Sequence, residues 1–251
     1  MKIMKIAVTA CAMMACAGVA LASGSKSHWT YEGHEGPEHW GDLAAEYATC
    51  ASGKMQSPID LAEVDANGSA NYTVEYKSSG LMILNNGHTV QFNIDNGSKL
   101  TENGVDYSLL QVHFHAPSEH VMKAEHHPLE AHFVHKSADG VLSVLGVFID
   151  EGAENAALGK VIAHMPKDVA EAKAIAGVDI DVNELLPQDR SIYRYQGSLT
   201  TPPCSEGVNW HVLSHSITAS KAQIAALSQV LHMNARPAQA LNGRLLIAPA
   251  N

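Results

Sequence analysis

The chain has 251 residues, enough for one large domain or two small ones and for a substantial buried core. Its 26 acidic residues outnumber 16 basic ones for a formal charge of −10, which argues against nucleic acid or an anionic membrane surface as a partner and for a solvated acidic exterior.

The N-terminus reads as an export signal. Lys2 and Lys5 precede an apolar run from Ile6 to Leu21, and Ala20-Leu21-Ala22 fits a small-residue cleavage site, so residues 1–22 are expected to be removed and 23–251 to form one mature domain. The apolar run falls short of a membrane span, and Met13-Met14-Ala15 is a poor context for lipidation of Cys16, so no membrane anchor is expected after cleavage. Losing two lysines leaves 14 basic against 26 acidic residues, a mature charge of −12. It also leaves two of four cysteines, Cys50 and Cys204. In an oxidising compartment one disulfide is expected, with two free thiols as the alternative. Closing so long a loop stabilises by roughly 4 to 5 kcal/mol in the chain-entropy picture, less any native strain.

Turn signals recur along the rest of the chain at Asn67-Gly68, Asn86-Gly87, Asn96-Gly97, Asn103-Gly104, Asp139-Gly140 and Asn242-Gly243. Between them the pattern predicts strands at Tyr72 to Tyr76, Thr89 to Ile94, Leu109 to His115, Leu129 to His135, Val141 to Ile149 and Val208 to Ser216. Helical pattern is confined to Glu154 to His164 and to Lys221 to Leu231, the latter capped by Ser220. The expected architecture is a single, mainly β domain with short peripheral helices.

Within Leu109 to His115, a period of two puts Gln111, His113 and His115 on one face and Val112 and Phe114 on the other. The same alternation aligns Glu130, His132 and Val134 in the following strand. If the strands are neighbours, His132 completes a three-imidazole set that suits Zn²⁺ with a fourth position for water. Gln111 and Glu130 lie on the ligand-bearing faces, able to accept the second ring N–H of a ligand histidine. Among 15 histidines an isolated His-x-His is weak, and His126, His127 and His135 are expected to be solvated or locally bonded.

Taken in order, several segments resemble the α-class carbonic anhydrases, from about Ser27 to the C-terminus. They are His28-Trp29-Thr30-Tyr31, Gly36-Pro37-Glu38-His39-Trp40, Gln56-Ser57-Pro58-Ile59-Asp60, Leu84-Asn85-Asn86-Gly87-His88, Gln111 to His115, Ser118-Glu119-His120, Glu130-Ala131-His132, Gly197 to Pro203 and Asn234-Ala235-Arg236-Pro237. The resemblance implies a large, twisted, mostly antiparallel central sheet with one zinc per chain at the bottom of a conical cleft. It implies reversible hydration of carbon dioxide by zinc-bound hydroxide, with ester hydrolysis as a side activity. His113, His115 and His132 would be the ligands and Gln111 and Glu130 their outer partners. Thr200 would accept from the hydroxide and donate to Glu119, and His88 would shuttle the proton. Val134, Val144, Leu199, Val208 and Trp210 would form the carbon dioxide pocket, opposite a polar wall of Tyr31, Asn86, Gln91 and Thr201.

Two positions depart from the family pattern: Gln91 stands where many members carry Asn, and Ala116 where an aromatic often follows the second ligand. Cys50 and Cys204 match a disulfide pair found in many secreted members. Inhibition by sulfonamides and anions also follows from the resemblance, a homodimer is an allowed state, and the short signal together with the resemblance implies a bacterial periplasmic location. Outside it, a non-catalytic binding protein on the same fold would have lost a ligand or Thr200, and a histidine-rich zinc-storage protein would bind several ions.

Overall fold

A computed structural model describes residues 27–250; the proposed signal and its cleavage site lie outside the described residues. Short helices come first, α1 (Trp40–Leu43) and α2 (Thr49–Ser52). Then follow strands β1 (Ala66–Asn67), β2 (Tyr72–Glu75), β3 (Ser79–Asn85), β4 (Val90–Asn93), β5 (Lys99–Glu102), β6 (Val105–His115), β7 (Val121–Met122), β8 (Glu125–His126), β9 (Leu129–Ser137) and β10 (Leu142–Glu151). Helix α3 (Ala156–His164) leads to β11 (Ala170–Ile180), β12 (Ile192–Ser198), β13 (Glu206–Leu213) and β14 (Ile217–Ala219), and α4 (Lys221–Leu231) precedes β15 (Ile247–Ala248).

One sheet takes up 13 of these strands, in the order β1-β15-β12-β13-β10-β9-β6-β4-β3-β11, with β14, β2 and β5 branching from it. Its pairs are antiparallel except β1 with β15 and β10 with β13 and β14. The fold is therefore the mainly β, mostly antiparallel architecture expected. β6, β9 and β10 sit mid-sheet, where both faces are covered and backbone groups are paired on both sides, so side chains there are held by packing.

Ser220 and Gln223 form a reciprocal capping box at the start of α4. Asn155 caps α3 by accepting from Leu158 N–H. Asn103 and Gly104 both take positive φ (50° and 83°), turning β5 into β6. Asn67-Gly68 is not such a turn, because Asn67 pairs in parallel with Ala248. The expected strand to Ser216 stops at Leu213 and resumes as β14, since Ser214 N–H leaves the ladder to donate to Ser191. Strands β3, β11 and β12 were not among the predicted ones. In β11 the sequence Ala-Glu-Ala-Lys-Ala alternates, but with alanine, glutamate and lysine, which have little strand propensity, and the strand forms at the sheet edge with two register breaks.

Two apolar cores flank the sheet. Phe92, Val112, Phe114, Phe133 and Leu145 pack on one side with α3 and α4, while Ile59, Leu61, Val144, Phe148, Val208 and Trp210 pack on the other. A third, smaller cluster joins Trp40 and Tyr47 to Cys50 and Cys204, which form a disulfide with Cα atoms 5.0 Å apart.

Candidate metal centre

His113 and His132 stand directly opposite each other on β6 and β9, and His115 follows on the same face of β6. A bulge sets this phase. Leu109 pairs with His135 and Gln111 with Val134, which leaves Leu110 as an extra residue. The core face of β6 therefore passes from Leu109 to Val112 and Phe114, and the intervening side becomes that of Gln111, His113 and His115. One ring nitrogen from each of His113, His115 and His132 lies within 4.8 Å of the others, and the rings are 4.5 to 5.2 Å apart.

Each imidazole is oriented from outside by a different acceptor. His113 Nδ1 donates to Gln111 Oε1 at 2.8 Å, His115 Nδ1 to the Asn234 carbonyl at 2.8 Å, and His132 Nε2 to Glu130 Oε1 at 2.9 Å. The remaining nitrogens, Nε2 of His113 and His115 and Nδ1 of His132, are then lone-pair donors. Burial, followed by the neighbouring imidazoles, holds His113 well below the ordinary histidine range. Burial also lowers His115 against the opposing pull of Glu119, so both rings are neutral at physiological pH, the form that ligates a metal.

Glu130 is the anchor of this arrangement. Its Oε2 accepts from the backbone N–H of Glu119 and of His120, both at 2.9 Å, and its Oε1 accepts from His120 Nδ1 as well as His132. Burial alone would raise its pKa, but His120 and His132 outweigh that and hold the carboxyl well below the usual range. Room for the carboxylate exists because residue 146, facing His132 from β10, is glycine: a Cβ there would stand 2.8 Å from Glu130 Oε1. His120, Glu130 and His132 also meet as a set of potential ligands, but their mutual hydrogen bonds already use the nitrogens and oxygen concerned.

The donor set, three imidazoles on rigid strands, fits a divalent metal of zinc's preference. Burial lowers the His132 pKa, but Glu130 outweighs it and raises that ring above the ordinary histidine value, so a metal bound there displaces a proton. Two buried atoms at this centre, His115 Nε2 and Glu119 Oε2, have no hydrogen-bond partner among the described residues, and they lie 3.5 Å apart. Glu119 Oε2 is also 3.8 Å from His132 Nδ1, and Glu119 Oε1 accepts from Arg236 N–H at 3.0 Å. The expected Glu119 to Thr200 hydrogen bond is not formed here. The carboxylate instead faces the imidazoles, with Oε2 against the two nitrogens that turn toward the centre. Thr200 itself is buried in the loop between β12 and β13 that also carries Leu199 and Thr201. Gly207, at φ 92°, lets β13 bulge opposite Ser198 and closes that loop.

A cavity of about 150 Å³ leads from His113 and His115 outward past Gln91, Gln111 and Thr201 to Tyr31, Asn86 and His88. His88 stacks on Trp29 with ring centroids 3.7 Å apart and planes 8° from parallel. Partial burial, then the nearby His28, pulls it below the ordinary histidine value. Burial and Glu119 push the Tyr31 hydroxyl well above its ordinary range, so it stays protonated. Gln91 donates to Asn93 Oδ1 at 2.7 Å. Val134, Val144, Leu199, Val208 and Trp210 gather in one apolar cluster, and the Trp210 ring lies 4.9 Å from that of His132. None of these five lines the polar cavity itself. Ala116, the second departure, is buried among the core residues behind β6.

Sequence reasoning passed over several residues that build the site. Asn234, 1% exposed, orients His115 through its carbonyl, accepts from Ala116 N–H at 2.8 Å and donates to the His88 and Phe114 carbonyls. Arg236 is equally buried and donates to Gln56, Ser57 and Cys50, joining the disulfide to the segment that holds Glu119. The Tyr195 hydroxyl bridges His120 Nε2 and Ser57 Oγ. Asn234, Arg236, His120 and Ser57 stood in recognised segments without a role; Gly146 gave no signal, since its role exists only across a strand pair.

A family description, eukaryotic-type carbonic anhydrase, matches residues 35–249. A carbonic anhydrase of Klebsiella pneumoniae is 44% identical over 224 residues, covering 88% of this chain and 91% of the relative. One from Pectobacterium atrosepticum is 41% identical over 237 residues, 94% of this chain and 97% of the relative. Among solved structures, the α-carbonic anhydrase of Thermovibrio ammonificans in complex with the inhibitor sulfanilamide superposes with a TM-score of 0.84 at 44% identity, covering 89% of this chain and all of that one.

Proposed function

The chain belongs to the α-carbonic anhydrase family, and from that premise we propose that it is a zinc enzyme that interconverts carbon dioxide and water with bicarbonate and a proton. The observation that carries the reading is the convergence of His113, His115 and His132, each oriented by its own acceptor, at the head of a cavity reaching His88. These three residues would hold one zinc per chain, supplying a Lewis acid that acidifies water to a nucleophile near neutral pH.

The chain's own residues supply the rest. Gln111, Glu130 and the Asn234 carbonyl keep the three rings in the right tautomer and orientation. An ionised Glu119 can only accept, so a Thr200 hydroxyl paired with it must donate to it and is left able to accept from the attacking O–H, which aims the oxygen lone pair at carbon. That pairing needs Glu119 Oε2 to turn from the imidazoles toward Thr200, for which this oxygen, free of other bonds, is available. Val134, Val144, Leu199, Val208 and Trp210 offer an uncharged substrate an apolar surface beside the centre. Tyr31, Asn86, Gln91 and Thr201 line a polar path along which His88 takes the product proton to solvent.

Export to a bacterial periplasm, with residues 1–22 as the signal, is supported by the Cys50 to Cys204 disulfide, which suits an oxidising compartment. Among the described residues no helix is long and apolar enough to cross a membrane. Sulfonamides are expected to inhibit, in keeping with the sulfanilamide complex of the Thermovibrio ammonificans enzyme. Hydrolysis of 4-nitrophenyl acetate is the expected side activity.

The test is metal stoichiometry together with site dependence. The purified mature chain should bind one zinc, and His115→Ala should lose it while keeping its fold by circular dichroism. Several zinc ions per chain, retained in that variant, would favour a storage role instead.

A further inference from the structure

A side chain that passes protons to solvent must keep its ring nitrogens free, so whatever positions it has to act elsewhere. The His88 ring is half-buried and makes no hydrogen bond among the described residues. Three cavities meet at it: the one from the imidazole centre, one of about 630 Å³ bounded by Thr30, Leu231 and Met233, and one of about 620 Å³ bounded by Tyr47, Pro202 and Pro203. The stacked Trp29 ring is its flat support.

The main chain is what is fixed. Residue 88 lies between β3 and β4, so neither its N–H nor its carbonyl has a strand partner. The N–H donates to Asn86 Oδ1 at 2.9 Å, and the carbonyl accepts from Asn234 Nδ2 at 2.9 Å. Asn86 belongs to the same exposed turn, whereas Asn234 is 146 positions away and buried. The other Nδ2 proton of Asn234 goes to the Phe114 carbonyl at 3.0 Å, and Oδ1 accepts from Ala116 N–H at 2.8 Å. Two carbonyls and one N–H around the carboxamide admit a single orientation of it. Phe114 and Ala116 flank His115, whose ring donates to the Asn234 main-chain carbonyl at 2.8 Å. One residue thus orients a ring of the imidazole centre through its backbone and holds the backbone of His88 through its side chain.

Resting on the hydration reading above, we propose that Asn234 is a positioning residue for proton transfer: its side chain ties the His88 main chain to the strand end that carries His115, keeping the His88 ring on Trp29 at a fixed reach from the centre. Aspartate at 234 would keep the acceptor but turn both carbonyl contacts repulsive, and alanine would remove all three bonds.

Asn234→Ala and Asn234→Asp in the zinc-loaded protein test this. Both should keep one zinc, because the acceptor of His115 is main chain. In dilute buffer kcat for hydration should fall about tenfold, by more than kcat/KM, and added imidazole should restore it by taking the proton directly. NMR of the same proteins should show ring-to-ring NOEs between His88 and Trp29 in the parent and their loss in both variants. That loss in a parent without hydration activity would support the tie and refute the hydration reading. Retained NOEs, or equal falls in kcat and kcat/KM that imidazole does not restore, would overturn the role of Asn234. If neither variant folds by circular dichroism, the parent carries the test: the Asn234 carboxamide protons should exchange with solvent far more slowly than those of exposed Asn103, and equal exchange would overturn the tie.

Discussion

The polar shell of the imidazole centre is held to tolerances of an ångström by single residues, and two substitutions probe it from opposite sides. Gly146→Ala would drive a methyl group into Glu130 Oε1, 2.8 Å away, displacing an oxygen fixed by both His120 and His132. Zinc affinity, measured by competition with a chelator, should fall about tenfold or more while the fold survives. Thr200→Ala should do the reverse: zinc content unchanged, with kcat/KM for hydration down on the order of 100-fold through loss of lone-pair orientation. Much of this was legible in sequence, because strand periodicity puts Gln111, His113 and His115 on one face whatever the fold. The Asn234 carbonyl was not legible. A main-chain acceptor carries no residue signature, and 119 positions separate it from the imidazole it orients.

At the scale of elements, the loop between β12 and β13 must hold Thr200 and Thr201 against the centre, and it is tied at several points. Cys204 bonds covalently to Cys50 in α2, Gln56 Nε2 donates to the Cys204 carbonyl at 3.1 Å, and Arg236 donates to the Cys50 carbonyl. Reduction removes a crosslink spanning 154 positions, worth up to about 4 to 5 kcal/mol by loop closure. Thermal unfolding should therefore shift to clearly lower temperature in reductant, with activity lost before global unfolding as the Thr200 loop loosens. An unchanged transition would show that packing of Trp40 and Tyr47 suffices to hold the loop. Helix α3 was readable from its pattern and α4 from its pattern and its Ser220 cap, whereas the one-turn helices α1 and α2 gave no signal; β9 and β10 were readable as strands. The two-residue strands β1 and β15 and the alanine-rich edge strand β11 were not, since they carry little strand signal of their own and form where a partner is available.

The whole molecule carries buried histidines outside the centre, and they set its response to acid. His135 accepts from the Tyr76 hydroxyl and donates to the Ser143 carbonyl, and burial pushes its pKa down to about 4; His211 is pushed down to about 3. Both folded values lie below the unfolded value of about 6.5, so the unfolded chain takes up these protons first. Stability is full above about pH 6.5 and drains as pH falls toward those lower values, by about 2 to 3 kcal/mol per group at pH 4.5. Glu130 adds to the loss at still lower pH, because its depressed value means protonation in the folded state lags that in the unfolded one. Urea midpoints of zinc-free protein at pH 7 and 4.5 should differ in this direction, with the lowered His113 and His115 adding to the loss, and His135→Gln should remove part of the difference; an equal slope in that variant would exclude His135 as a source. Catalysis itself is read by stopped-flow hydration of carbon dioxide by the mature chain. The expected rate is well above buffer, disappears on chelation, returns on adding back one zinc per chain and is absent in His115→Ala. A rate at background, or one indifferent to both the chelator and that substitution, would contradict it.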